Sequence, residues 1–324
     1  MRNRVTKLEN VKILVVELLK LCIPIVIGFV VVKTKFLDAG VRDALSRLIA
    51  RVLFPILMFC IFLNPDISVG QIWDSRYLLL TAVGWVVVSF LIGMAAAKLL
   101  KLDRRRGPVF FILLGMSNVT YMGLPLCVAL FGERLGQLGV ALVSLAGHIA
   151  MWTLGVYLMS RYSAEPGKKS FSLKAAFTPV TVAILAAIVL KLVGVRLPDL
   201  VYAPLHTLGN VTPQLALVYI GVVIATSDFS VVYKSREVPV FLCFKLLLLP
   251  LLFGLVMNLA GRLYLPEDYR QLLMIEYATS AMISLTPFFR EYGYDDDFAG
   301  QLVFTSIALN IATLPLVMLI NSLY

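Results

Sequence analysis

The sequence predicts an all-α polytopic membrane protein of ten transmembrane helices, arranged as two inverted repeats of five. Three observations predict it: a composition shifted toward lipid, ten apolar stretches of spanning length, and a proline pattern that recurs in the two halves. Of 324 residues, 60% are hydrophobic and 15% charged, with a mean hydropathy of +0.90. Soluble domains run at about 45–50% apolar and about 25% charged. A solvated globular enzyme, a disordered chain and a disulfide scaffold are excluded. Ten spans of about 20 residues take about 200 residues, which leaves connections and tails but no separate soluble domain.

The apolar stretches fall near residues 11–32, 43–63, 77–99, 108–131 and 136–160, and again near 177–194, 203–226, 238–260, 268–290 and 299–322. The longest polar gap runs from Arg161 to Lys174 and includes Glu165-Pro166-Gly167-Lys168-Lys169. It divides the chain into a first repeat at 1–162, a linker at 163–175 and a second repeat at 176–324. Loops after odd-numbered spans carry sixteen Lys and Arg, against ten on the other face. Cytoplasmic loops concentrate positive charge. The odd loops and the linker are therefore expected in the cytoplasm of a cell (inner or plasma) membrane, with both termini outside. The basic tail of Arg2, Arg4, Lys7 and Lys12 argues the other way.

These anchors account for the net charge of +10. With no basic helix or aromatic platform, nucleic acid is not an expected partner, and the lipid bilayer is. Cys22, Cys60, Cys127 and Cys243 all lie in apolar runs without a C-x-x-C, and read as small core residues. No metal site and no cofactor is expected. The first apolar stretch is long and no small-residue cleavage site follows it, so a removable signal peptide is not expected.

The repeat rests on proline pairs in the same rank order. Pro24 matches Pro179, Pro55 matches Pro213, and Pro125 matches Pro287, with slowly growing offsets. At the last offset Ser144 aligns with Ser306, Ala146 with Ala308, and His148 with Asn310. Duplicating an odd number of spans must invert the second copy. Inverted repeats suit alternating access, with the site near the midplane between them.

Two spans are interrupted. Span 4 gathers Gly115, Ser117, Asn118, Thr120, Gly123 and Pro125 at its middle, and span 9 has Thr279, Ser280, Ser284, Thr286 and Pro287. Proline removes a backbone donor and glycine leaves helical geometry cheaply. The freed backbone groups cannot face lipid and must be buried in protein or line a cavity. The plainer reading is a proline kink with hydroxyls bonded back onto the helix. Neither interruption contains Asp or Glu. Two half-helix N-termini aimed at one place would each offer free amides and about half a positive charge. That favours an organic anion over a cation.

At SNVTYMGLPLCVALFGERLG the sequence resembles the auxin efflux carrier family, through Asn118, Gly123, Pro125, Phe131 and Gly132, and through Trp152 in the following helix. The second half agrees in TPVTVAILAAIVLKLVGVRLPDL, LGNVTPQLALVYIGVVIA and FFREYGYDDDFAGQLVFTSIALNIATLPL. The resemblance implies ten helices in two inverted repeats, with broken helices 4 and 9 crossing at mid-membrane. Helices 1, 2, 6 and 7 would form a scaffold that makes a homodimer, and the others a moving transport domain. The implied function is secondary transport of a small organic anion or carboxylate by an elevator-type movement. Ser117 and Ser280 stand where the family often has crossover prolines. The linker is short beside the long central loop of the plant members, which points away from auxin and toward a metabolite carboxylate or amphipathic organic anion. The substrate site is expected at Ser117, Asn118, Val119, Thr279, Ser280 and Ala281, with helix breaks at Gly123, Pro125 and Pro287.

Ionisable groups within spans are functional candidates. Glu17 and Lys20 share a helix face and are expected to pair. Lys245 lies in mid-span 8 and Glu276 one turn before the span 9 break; the two are expected to form an ion pair, although Lys245 could instead snorkel or bind carbonyls. His148 is either proton-sensitive or a hydrogen-bonded core residue. Asn210, near Pro213, is a kink position that could reach the site. These six are the candidates for coupling or gating. Asp295, Asp296 and Asp297 read as a solvated loop.

The chain has neither an H-E-x-x-H nor a G-x-S-x-G pattern, and PGKKS lacks the upstream glycine of a P-loop. Intramembrane enzyme chemistry and ATP-driven transport are unsupported. The remaining alternative is a membrane sensor on a transporter fold that binds a small organic acid without moving it.

Overall fold

The computed structural model describes residues 16, 19–20, 22–38, 40–64, 68–162, 178–226 and 235–321. Among these residues the chain is helical, and its β-structure is confined to one isolated bridge. Six helices there are long and apolar enough to cross a membrane. They are α2 (Val41–Leu63), α3 (Arg76–Leu99), Tyr121–Met159, α7 (Asp199–Thr226), α8 (Glu237–Leu263) and α10 (Asp296–Asn321). Two shorter apolar helices are α1 (Cys22–Lys33) and α6 (Pro179–Leu192). The linker at 163–175, with Lys168 and Lys169, lies outside the described residues, as does Glu17.

The expected spans at 108–131 and 268–290 are each in two pieces. The first comprises α4a (Gly107–Gly115) and α4b (119–131); the second comprises α9a (Glu267–Ala278) and α9b (Thr286–Glu291). Gly132, at φ 77° and ψ 167°, leaves helical geometry and separates α4b from α5 (133–162). A positive φ of this size is readily adopted only without a Cβ.

Proline shapes three of the helices by one device. The π-helical turns Ile49–Leu53, Val119–Gly123 and Phe244–Leu248 each end just before a proline: Pro55, Pro125 and Pro250. Proline lacks the amide that would close the preceding turn and clashes with its carbonyl. Widening that turn absorbs both defects without unwinding the helix. Pro125 and Pro287 therefore lie one turn past each break, with the π-helical turn Val119–Gly123 and the 3₁₀ turn Ile283–Leu285 in between, not at the break itself.

Small residues bring helices together. A Cβ on Gly28 of α1 would strike the main chain of Val218 in α7, and one on Gly221 of α7 would strike Ile25 and Phe29 in α1. Close backbone approach through small residues is how helices associate where no hydrophobic drive exists between them. α2 packs on α6 and α7, so α1, α2, α6 and α7 form one group. The helices α3, α4a, α8, α9a and α10 pack in another. Its aromatic centre has Trp85 4.7 Å from Phe253 and Phe253 5.1 Å from Tyr277, ring to ring. Tyr277 closes its polar end by donating to the Ala82 carbonyl at 2.9 Å, as buried tyrosines require.

Polar contacts gather at the helix ends. At one end Arg106 Nε meets Asp295 Oδ2 at 2.9 Å and its guanidinium lies 4.0 Å from Glu237. The hydrogen bond to Asp295 holds the Arg106 guanidinium above its ordinary value. Asp295 Oδ1 also accepts the Phe298 amide at 2.9 Å, at the start of α10. Asp295 is thus a structural partner, not a solvated loop residue. At the other end Ser75 and Tyr269 share a hydrogen bond of 2.9 Å, and Lys191 donates to the Asn64 carbonyl at 2.8 Å. The cysteines differ from expectation in part. Cys60 and Cys127 are buried, Cys22 is half-buried, and Cys243 is exposed on α8.

Candidate functional site

The two interruptions meet. Met116, Ser117 and Asn118 leave helical geometry after α4a, and Thr279 to Met282 do so after α9a. Ser117 and Ala281 face each other as an antiparallel bridge. The Asn118 amide donates to the Ser280 carbonyl at 2.8 Å, and the Met282 amide donates to the Met116 carbonyl at 3.0 Å. Each extended segment thus satisfies backbone groups of the other, as an interrupted helix in a membrane must arrange. Side chains repeat the pairing: Asn118 Nδ2 approaches Ser280 Oγ at 3.4 Å, and Ser280 Oγ donates to Met122 Sδ at 3.1 Å.

The remaining free carbonyls are capped differently in the two halves. Lys245 on α8 donates to the Leu114 carbonyl at 3.2 Å and to Ser117 Oγ at 2.8 Å. Asn310 on α10 donates to the Ala278 carbonyl at 2.7 Å, and Ser306 Oγ accepts the Ala281 amide at 3.1 Å. A lysine amino group therefore closes one half-helix and an amide the other. A positive charge at a helix C-terminus also offsets the macrodipole.

Lys245 and Glu276 do not form the expected ion pair. Lys245 faces the end of α4a, whereas the Glu276 carboxyl faces Gly123 and Cys127 across the start of α4b. Cys127 Sγ donates to Glu276 Oε1 at 3.1 Å, and Oε2 has no protein partner. A Cβ on Gly123 would overlap the carboxyl. Gly123 is thus a contact point for Glu276, while the break itself lies at Met116–Asn118.

A cavity of about 30 Å³ opens beside the bridge. That is room for about two waters, at roughly 10–15 Å³ for each. Its polar lining includes Ser117, Asn118, Ser144, His148 and Ser284, and its wall includes Phe54, Tyr121, Met116 and Met282. Val119 lines it too, while Thr279, Ser280 and Ala281 lie fully buried behind the bridge. Lys245 acts on this space through Ser117. Because Ser117 Oγ accepts from the ammonium, its own hydroxyl proton is left to donate elsewhere. The starts of α4b and of the 3₁₀ turn Ile283–Leu285 border the same space through Val119 and Met282. The first amides of a helix have no partner within it.

Asn210 lies elsewhere, exposed at the junction of two helical segments in α7, with its amide 3.4 Å from the His206 ring. Lys20 is exposed before α1 and does not line the cavity. Sequence reasoning gave no role to Cys127, Ser306 or Asn310, and missed the wall residues Phe54 and Tyr121. The signal for Ser306 and Asn310 was present, since they are polar residues four apart on a mainly apolar helix. Phe54 and Tyr121 look like any core aromatic.

The family described as "Membrane transport protein" matches residues 13–318. The uncharacterized transporter YfdV of Escherichia coli (strain K12) is 22% identical over 245 residues, covering 74% of this chain and 77% of that protein. The proteins of the same name in Escherichia coli O157:H7 and Shigella flexneri match to the same extent. With nearly its whole length matched, this multi-pass chain belongs to the membrane transport protein family, that of the auxin efflux carriers, and is a transporter.

Proposed function

We propose that this transporter is a secondary carrier of a small organic anion or carboxylate, bound where α4 and α9 meet. The observation that supports it is the Ser117–Ala281 bridge. It brings two helix starts to one cavity whose lining contains no Asp or Glu. Backbone amides, the Ser117 hydroxyl and the Lys245 charge behind it make this space attractive to an anion. Substrate-binding roles are assigned to Ser117, Asn118 and Val119, with Thr279, Ser280 and Ala281 holding the second helix break in place.

In this reading the chain makes ten spans in two inverted repeats, and movement is of the elevator type. Two features support the topology. Loops after spans 3 and 9 meet the start of span 8 at Arg106, Asp295 and Glu237. Loops after spans 2 and 6 meet at Asn64 and Lys191. Odd loops thus meet odd loops and even meet even, as ten alternating spans require. The group α1, α2, α6 and α7 is the candidate scaffold and homodimer surface. The cavity is too small for most carbon acids, so substrate entry requires the two helix groups to part. By the balance of Lys and Arg, both termini lie outside the cell (inner or plasma) membrane.

The test is counterflow in proteoliposomes against a panel of organic acids. Saturable exchange of at least one acid is expected. Saturable binding without exchange would make the protein a sensor.

A further inference from the structure

His148 lines the cavity from α5. Its Nδ1 lies 2.7 Å from the Ser144 carbonyl oxygen, one helical turn back. A carbonyl oxygen can only accept, so Nδ1 carries the proton. That bond also fixes the ring's orientation, as does Phe54, whose ring centre is 6.1 Å away. The other nitrogen, Nε2, has no protein partner and is not among the closed-in, unsatisfied polar atoms. In the neutral imidazole, Nε2 is then a fixed acceptor at an accessible wall. Across the same cavity, Ser117 offers a hydroxyl donor oriented by Lys245. The cavity therefore has the Ser117 donor at one side and, at another, an acceptor fixed in that role, unlike the Ser144 and Ser284 hydroxyls and the Asn118 amide, which can also donate. A simple carboxylate has only acceptors and satisfies the first side alone.

Resting on the anion-carrier reading, we propose that His148 is a specificity residue: it selects acids that carry a hydrogen-bond donor beside their carboxylate, such as a hydroxy acid over its deoxy analogue. The carboxylate takes the Ser117 hydroxyl and the helix-start amides, and the substrate hydroxyl donates to His148 Nε2. Without that hydroxyl, Nε2 is desolvated with nothing to accept, which works against the deoxy acid.

The test uses pairs that differ by one hydroxyl: lactate and propionate, malate and succinate, 2-hydroxybutyrate and butyrate. Each is run as a competitor of counterflow by the reconstituted full chain. For at least one pair the hydroxy member is expected to compete roughly 3- to 10-fold better, the worth of one hydrogen bond. In His148→Phe, which keeps a ring against Phe54 but has no acceptor, the ratio is expected to fall to about one. His148→Gln, which retains an acceptor, is expected to keep part of it. A ratio of one for every pair in the wild type overturns the proposal without needing a variant, and is the result expected if an imidazolium simply anchored the carboxylate. An undiminished ratio in His148→Phe overturns it as well. Exchange without preference sinks only this inference, whereas no exchange of any acid removes the carrier reading and this inference together.

Discussion

Lys245 and Ser117 are joined by a 2.8 Å hydrogen bond from the ammonium to the hydroxyl, and the same ammonium reaches the Leu114 carbonyl at 3.2 Å. One buried amino group thus closes the end of α4a and orients the hydroxyl beside the bridge. Lys245→Met leaves both groups without their donor. A hydrogen bond to a charged group is worth about 1.5–3 kcal/mol, so counterflow per folded protein is expected to fall roughly tenfold or more. Lys245→Arg is not expected to restore it, because a planar fork cannot replace a compact ammonium at this position. Wild-type exchange by the Met variant would remove the electrostatic role.

Asn118 makes its strong bond through the main chain, at 2.8 Å to Ser280, while its side-chain contact to Ser280 Oγ is long at 3.4 Å. The side-chain amide therefore contributes little to holding the break. Asn118→Ala is expected to weaken binding of the exchanged acid by about 10- to 150-fold, the loss of one hydrogen bond to a charged ligand. Its melting temperature should barely change. A lowered melting temperature with unchanged affinity would show that the side chain staples the backbone and does not touch substrate.

Gly123 and Glu276 should be energetically coupled. Gly123→Ala places a methyl group on the buried carboxyl, and overpacking of this kind costs about 1–3 kcal/mol. Glu276→Ala makes room. The double variant is expected to be more stable than the sum of the two single losses, by roughly 0.5–3 kcal/mol. Denaturation of all four proteins in detergent checks this, and strict additivity would contradict the contact.

The topology can be checked at the linker. A cysteine introduced by Lys168→Cys is expected to react with an impermeant thiol reagent only when the cytoplasmic face is open. Labelling in intact cells from outside would reverse the orientation.

Much of the candidate site was legible because helix interruption is local chemistry. Glycine, proline and hydroxyl side chains act on their own backbone, so Ser117–Asn118 and Thr279–Ser280 could be singled out without any contact being known. The prolines misled on position. Pro125 and Pro287 were read as breaks, but each lies one short π or 3₁₀ turn past its break, where a regular α-helical segment begins and a missing amide is tolerated. Charge pairing was misread for a different reason. Lys245 and Glu276 are both buried, one basic and one acidic, and no sequence pattern states which way either faces.

The sequence by itself determined that this protein lives in a membrane, that it is built of apolar helices and which two of them are interrupted. Composition, span length and backbone chemistry are properties of short stretches, and lipid leaves few alternatives to a helix. Only the tertiary structure decided that the interruptions bridge each other at Ser117 and Ala281, that Lys245 caps Leu114, and that Glu276 turns to Cys127. Those partners lie more than a hundred residues apart, and what selects them is the need to satisfy each freed backbone group and buried charge with whichever donor the packed helices bring within reach.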